Sequence, residues 1–263
     1  MPHLFRATPQ HNRYYAWFEA LHTRVDLLLL APLSETAFEA AEEAVRRELL
    51  AVERMGNRFD PDSELSTAVR TAVSAGSATL SPELFGLLAR CLQANRETDG
   101  LFDITVNSPG FCPGLICAIH LTPFADAPGG TLTISHASLP SATGGASAGR
   151  DGSFVLDLSG ILKGYALERL RSLLPTLGIH DALVNLGNSS ILSLGHNPSD
   201  IPPGHCMTTS GNATADRRHI RDPLTGQYVS GRRQCSVTTA DGVEGEILAT
   251  VAVIRQATAP HAT

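Results

Sequence analysis

Aromatic side chains make up only 5% of this chain, and no apolar run approaches the length needed to cross a bilayer. The longest leucine run, Leu27 to Leu30, is far too short, so no stable membrane insertion is expected. The opening stretch MPHLFRATPQHNRYY lacks the apolar core of a signal peptide, and no lipobox cysteine is seen, which predicts a cytoplasmic protein. Cysteine is sparse and unpaired in pattern. Cys91, Cys112, Cys117, Cys206 and Cys235 form no C-x-x-C, and their odd number fits a reducing compartment better than a disulfide framework. His205-Cys206 is an adjacent pair whose side chains seldom converge on a metal without further ligands. Positive charge is also short: a net charge of -6 and a pI near 5.9 argue against nucleic acid or an anionic membrane as partner. Any phosphate must therefore be met locally.

What is present is ordinary for a folded chain, 43% hydrophobic and 17% charged, and 263 residues suffice for one domain over 1–263. The segment RVDLLLLAP reads as extended. Ser34 then reads as the N-cap of a helix with Phe38, Ala41, Val45, Leu49 and Val52 on one face. GNRFDPDSELS reads as a loop rich in turn formers. Ser81 and Pro82 start a second helix carrying Leu84, Leu87, Leu88, Cys91 and Leu92, and TDGLFDITV follows. The tract from Ser108 to Gly149 has no clear period, and hairpins or a loop would both fit it. Ser153 to Leu158 reads as a short extended run before a third helix, through Leu162, Ala166, Leu170, Leu173 and Leu177, closed by Gly178. DALVNLG and SSILSLG predict two strands around Gly187 and Asn188. CMTTSGN and RRHIRDPLTGQYV predict another strand pair, and QCSVTTA a further strand. EGEILATVAVI fits helix or strand. Helices mixed with hairpins predict an α+β fold, and no internal repeat is apparent.

Two constellations carry chemistry. In DLSGILKGYALERL the chain enters a helix near Gly160, where exposed N–H groups, the helix dipole and Lys163 would suit a phosphate. The spacing is not that of a P-loop, and Gly160 and Gly164 could equally serve packing beside a solvated Lys163. In EGEILAT, helical spacing would put Glu246 and Thr250 one turn apart, as hard oxygen donors for Mg²⁺. An exposed glutamate and a threonine bonded to its own helix would account for the same pattern.

The order FDPDSELS, TDGLFDITV, DLSGILKGYALERL, LVNLGNSSILSLG, TSGN…RRHIRDPLTG, SVTTADGVEGEILAT resembles the FAD:protein FMN transferase (ApbE) family over nearly the whole length. The resemblance implies an ApbE-like (T-fold-related) α+β domain of mixed or antiparallel sheets with packed helices. It also implies transfer of FMN from FAD to a Thr or Ser hydroxyl of an acceptor flavoprotein, with AMP released. FAD contacts would fall at Leu101, Phe102, Asp103, Asp157, Lys163 and Ile220, and Mg²⁺ would be held by the Gly160 carbonyl, Glu246 and Thr250. Lys163 would act electrostatically on the pyrophosphate, and His219 would be the general base. Asp222, Pro223 and Gly226 read first as turn chemistry. Asn185 and Asn188 could meet the flavin or cap their turn.

The chain departs from the family in four places. Leu21 stands where a flavin-lining methionine is usual, Asn188-Ser189-Ser190 where Gly-Gly-Asp commonly follows the strand, and Glu246 where aspartate is common. The extra methylene shifts that carboxylate by about 1.5 Å, a large step against Mg²⁺–O distances of about 2.0–2.1 Å. The sequence also stops soon after Val253, leaving an edge that a second copy could cover as a homodimer. Two alternatives stay open beside the transferase: a FAD pyrophosphatase giving FMN and AMP, and a flavin-binding homologue without turnover.

Overall fold

The computed structural model describes residues 4–5, 12–135, 154–212 and 219–258. The chain falls into two compact units, each assembled from three stretches. The first comprises Met1–Glu53, Gly160–Gly211 and Gln234–Val253; the second comprises Arg54–Ser159, Asn212–Arg233 and Ile254–Thr263.

The first unit is built on a seven-stranded sheet in the order β1-β2-β3-β7-β8-β9-β10. Its strands are β1 (Leu4–Phe5), β2 (Arg13–Ala20), β3 (Thr23–Leu30), β7 (Ala182–Leu186), β8 (Ser190–Leu194), β9 (Cys206–Asn212) and β10 (Arg233–Thr239). β2 and β3 form an antiparallel hairpin closed by Leu21 and His22, with φ of 52° and 55°. Positive φ at both central positions is the primed turn that matches strand twist. Leu21 thus occupies a turn, and its N–H donates to Glu53 Oε2 at 3.3 Å.

Alternate residues of the sheet, Val25, Leu27 and Leu29 of β3 and Ala182, Val184 and Leu186 of β7, have no solvent exposure. Helices α1 (Glu35–Gly56), α4 (Leu162–Thr176) and α5 (Gly242–Thr258) supply the matching apolar residues Phe38, Val45, Leu49, Ala166, Leu170 and Val251. Burying each large aliphatic side chain contributes about 1.5–3 kcal/mol. Ser34 Oγ accepts the Ala37 N–H at 3.1 Å, capping α1 as the sequence predicts. Gly178, at φ 74°, follows α4.

The second unit holds α2 (Glu64–Ala75), β4 (Ser77–Leu80), α3 (Pro82–Glu97), β5 (Ile119–Pro123) and β6 (Gly130–Ile134), with an antiparallel sheet ordered β4-β6-β5. Ser81 caps α3, and Glu64 Oε1 accepts the Ser81 N–H at 2.7 Å, joining the starts of α2 and α3. Leu65, Leu80, Leu84, Leu88, Leu132 and Ile134 form its core.

Three sequence expectations are corrected, and one that the sequence left open is decided. The loop read through FDPDSELS stops at Ser63, whose side chain caps α2. Among the described residues, 154–158 pair with no strand; instead the Asp157 N–H donates to the Ile104 carbonyl at 2.7 Å and Ser108 Oγ bonds both the N–H and the carbonyl of Val155 at 3.0 Å. Among the described residues CMTTSGN does not pair with RRHIRDPLTGQYV: it pairs with β8, Ser190 facing Thr208, while Arg221 and Tyr228 make an isolated bridge. EGEILATVAVI is helical. Part of the tract from Ser108 to Gly149 is the hairpin β5–β6, and residues 136–153 lie outside the described residues. The α+β expectation, with antiparallel sheets and packed helices, is met. No described helix is long and apolar enough to cross a membrane.

Candidate active site

Lys163 is the only lysine of the chain, against 19 arginines. A chain that meets almost every need for positive charge with a guanidinium keeps a compact ammonium at one place, the first turn of α4. It is half-buried rather than a free surface charge, and its Nζ donates to Ser189 Oγ. Ser189 sits in the β7–β8 turn, which Gly187 and Asn188 make at φ 66° and 59°. Asn185 and Asn188 hold that turn between them: Asn188 N–H to Asn185 Oδ1 at 2.9 Å, and Asn185 Nδ2 to Asn188 Oδ1 at 2.8 Å. Ser189 Oγ lies 3.4 Å from Ser190 Oγ, and Ser190 donates to Glu246 Oε1 at 2.5 Å. A continuous polar run therefore links the ammonium to the carboxylate, Lys163–Ser189–Ser190–Glu246.

Glycines bring the elements that close. A Cβ on Gly164 would meet the Gly242 carbonyl oxygen at 2.3 Å and Glu246 Cγ at 2.8 Å, and one on Gly245 would meet Thr208 Oγ1 at 2.2 Å. The starts of α4 and α5 thus touch backbone to backbone, and α5 lies directly on β9. Gly164→Ala is expected to cost about 3 kcal/mol by forcing the helices apart, measured as a lower denaturant midpoint at unchanged slope. An unaltered midpoint would contradict this contact.

Glu246 is 5% exposed, which overturns its reading as a surface glutamate. Burial pushes its carboxyl up to about 7, against the pull of Lys163, the Ser190 hydroxyl and the Gly164 N–H. Thr250, one turn on, donates to Ser210 Oγ at 3.3 Å rather than back into its helix. Thr208 Oγ1, opposite Ser190 in the sheet, is buried without a hydrogen-bond partner. Gly160 stands in the exposed turn two residues before α4.

The remaining predicted residues lie in the second unit. Asp103 is 8% exposed; burial raises its carboxyl, opposed by the Thr105 N–H and hydroxyl on Oδ1 at 2.7 and 2.6 Å. Phe102 is buried and Leu101 half-buried. Asp157 is buried and fully engaged: Arg58 Nε lies 2.8 Å and Asn107 Nδ2 2.6 Å from Oδ2, and the Ser159 N–H and hydroxyl reach Oδ1 at 2.9 and 2.5 Å. Ile220 is buried, its carbonyl accepting the Val229 N–H at 2.8 Å, and His219 beside it is exposed. Asp222 serves its turn, as expected, accepting from Leu224 N–H and Thr225 Oγ1. The sequence assigns no role to Ser189, Ser190 or Arg58, since lone hydroxyls and one arginine among 19 carry no spacing signature.

The model of the ApbE family matches residues 21–261. The chain belongs to the ApbE family. Solved structures share the ApbE fold at low identity. The flavin transferase ApbE from Vibrio cholerae is 20% identical, with 92% of this chain and 87% of that one covered and a TM-score of 0.69. The apo flavinyl transferase ApbE of Pseudomonas stutzeri is 18% identical, with coverage of 95% and 88% and a TM-score of 0.70. The ApbE protein of Thermotoga maritima is 18% identical, with coverage of 94% and 88% and a TM-score of 0.65. Among curated proteins none matches by sequence.

In this ApbE-family chain, the donor set fits a magnesium ion. Among the described residues, no three or more His, Cys, Asp or Glu side chains gather as ligands. Mg²⁺ does not require such a cluster, since it keeps several waters and takes one or two protein carboxylates with substrate phosphate. A buried carboxylate whose charge is poorly compensated, with a hydroxyl one helical turn away, is what an added cation would satisfy.

Proposed function

We propose that the protein is a Mg²⁺-dependent flavin transferase that moves FMN from FAD to a Thr or Ser hydroxyl of an acceptor flavoprotein. The observation that carries this is the polar run joining Lys163 to the buried Glu246. The names of the Vibrio and Pseudomonas proteins, both flavin transferases, support it.

In the reaction the acceptor oxygen bonds to the phosphorus of the FMN half, the pyrophosphate P–O bond breaks, and AMP leaves with the electron pair. Glu246, Thr250 and the Gly160 carbonyl would hold the cation, which when bound neutralises charge on the pyrophosphate oxygens. Lys163 places a fixed positive charge against the same phosphates without reacting, and its hydrogen bond to Ser189 limits its rotamers. His219 takes the proton of the attacking hydroxyl. Leu21, Leu101, Phe102, Asp103, Asp157 and Ile220 are proposed as FAD contacts.

Incubation with FAD, Mg²⁺ and a flavin-acceptor domain is expected to add one FMN to the acceptor by mass and to release equimolar AMP. AMP and free FMN with an unmodified acceptor would show hydrolysis instead. No AMP at any Mg²⁺ concentration would refute both.

A further inference from the structure

The start of α5, which delivers Glu246, is tied to α4 by a carboxylate with no part in the chemistry above. Asp241 caps the helix: its Oδ1 accepts the Glu244 N–H at 2.9 Å, and its carbonyl accepts the Gly245 N–H at 3.0 Å and Thr239 Oγ1 at 2.6 Å. The N–H of Gly242, the first helical residue, falls outside that cap. Glu168 Oε1, reaching across from α4, accepts it at 2.8 Å.

Glu168 is itself held in place. Arg171 Nε donates to its Oε2 at 3.0 Å and Nη2 to its Oε1 at 3.1 Å, and the same guanidinium bonds the Gly204 carbonyl and Cys206 Sγ. Burial pushes the Cys206 thiol up to about 12, so it stays a protonated neighbour of this network. The Glu168–Arg171 pair thereby joins α4, α5 and β9. A surface helix could leave its first N–H to water, and a quarter of the Glu168 side chain is exposed. A carboxylate anchored from a second helix adds direction: it sets where Gly242 stands against Gly164, and Glu246 Cγ rests on that same glycine, next to Lys163.

We propose that Glu168 is a positioning residue, fixing the separation between Lys163 and Glu246 by holding the first N–H of α5, and so setting the affinity of the α5 oxygens of Glu246 and Thr250 for a divalent cation. The inference rests on the Mg²⁺-dependent reading above.

Two variants separate reach from charge. Glu168→Asp withdraws the carboxylate by about 1.5 Å and keeps its charge; Glu168→Gln keeps the reach and an accepting oxygen and loses the charge. Mn²⁺ binding to the full chain, read from the free-ion paramagnetic signal, is expected to weaken about tenfold or more in Glu168→Asp and by less than about threefold in Glu168→Gln. Amide exchange over residues 240–246 should accelerate in Glu168→Asp alone, with the circular dichroism of both variants unchanged. Parent-like affinity in Glu168→Asp, or equal loss in both variants, overturns the proposal. A parent that binds Mn²⁺ but releases no AMP from FAD contradicts the transfer reading alone; a parent that binds no Mn²⁺ contradicts both.

Discussion

Replacing Lys163 by alanine is expected to slow AMP release from FAD by about 10²- to 10³-fold, the usual cost of removing one group aimed at developing charge. The effect should fall mainly on kcat, because the ammonium opposes charge that grows as the pyrophosphate bond breaks. At pH 5, where Glu246 holds its proton, stability should change little, since the variant loses one hydrogen bond, to Ser189, from a half-buried side chain. Lys163→Arg should rescue poorly. A planar guanidinium presents its donors in a fixed fork and cannot keep the point-charge geometry set by the β7–β8 turn. Steady-state kinetics with a thermal melt decide the matter, and parental kcat and KM in Lys163→Ala would remove the residue from the site.

The second large effect concerns Glu246 and pH. Its carboxyl titrates near 7 in the folded chain against an ordinary value of 4.5. Below 4.5 both folded and unfolded chains hold the proton, and this residue takes nothing from stability. As pH rises from 4.5 towards 7 the unfolded chain releases its proton while the folded chain retains it, so metal-free stability falls. Above 7 both forms are ionised and the loss is complete, on the order of 3 kcal/mol. A bound divalent cation should restore most of it by favouring the charged form. Glu246→Gln removes charge and little volume. It is expected to flatten this pH profile, to leave the metal-free protein more stable than the parent at pH 8, and to abolish both the stabilisation by Mg²⁺ and the Mg²⁺-dependent release of AMP. Denaturant unfolding between pH 4 and 8, with and without Mg²⁺, reads all of these; an identical profile in the variant would rule Glu246 out as the titrating group.

The helices were legible where caps and punctuation are strong: Ser34 before α1, Ser81 and Pro82 before α3, Gly178 after α4. α2 was hidden because its cap, Ser63, is one of several turn formers in a row, and its buried face, Leu65, Ala68, Val69, Ala72 and Val73, is built largely of small residues. Residues 154–158 carry an extended pattern but bond to an irregular segment, which alternation alone does not distinguish from a sheet. Lys163, Glu246 and Thr250 could be picked out by residue type and spacing. Their connection through Ser189 and Ser190 could not, because it depends on register between β8 and β9 and on the close approach allowed by Gly164 and Gly245. The sequence offers Gly164 as a packing glycine but not its partner: the missing Cβ of Gly164 admits the Gly242 backbone, and that of Gly245 the Thr208 side chain. The one available clue was lysine itself, present once in a chain of arginines.

That single lysine also permits the most direct test of the account, because apart from the chain's amino terminus Lys163 carries its only amine. Acylation by a limiting amine-selective reagent, followed by peptide mass measurement, reports the accessibility of Lys163 with the amino terminus as internal standard. Saturating FAD with Mg²⁺ should suppress labelling of Lys163 at least tenfold while leaving the amino terminus unaffected. Labelling of Lys163 at the same rate with and without FAD and Mg²⁺ would contradict the claim that its ammonium faces the dinucleotide's phosphates.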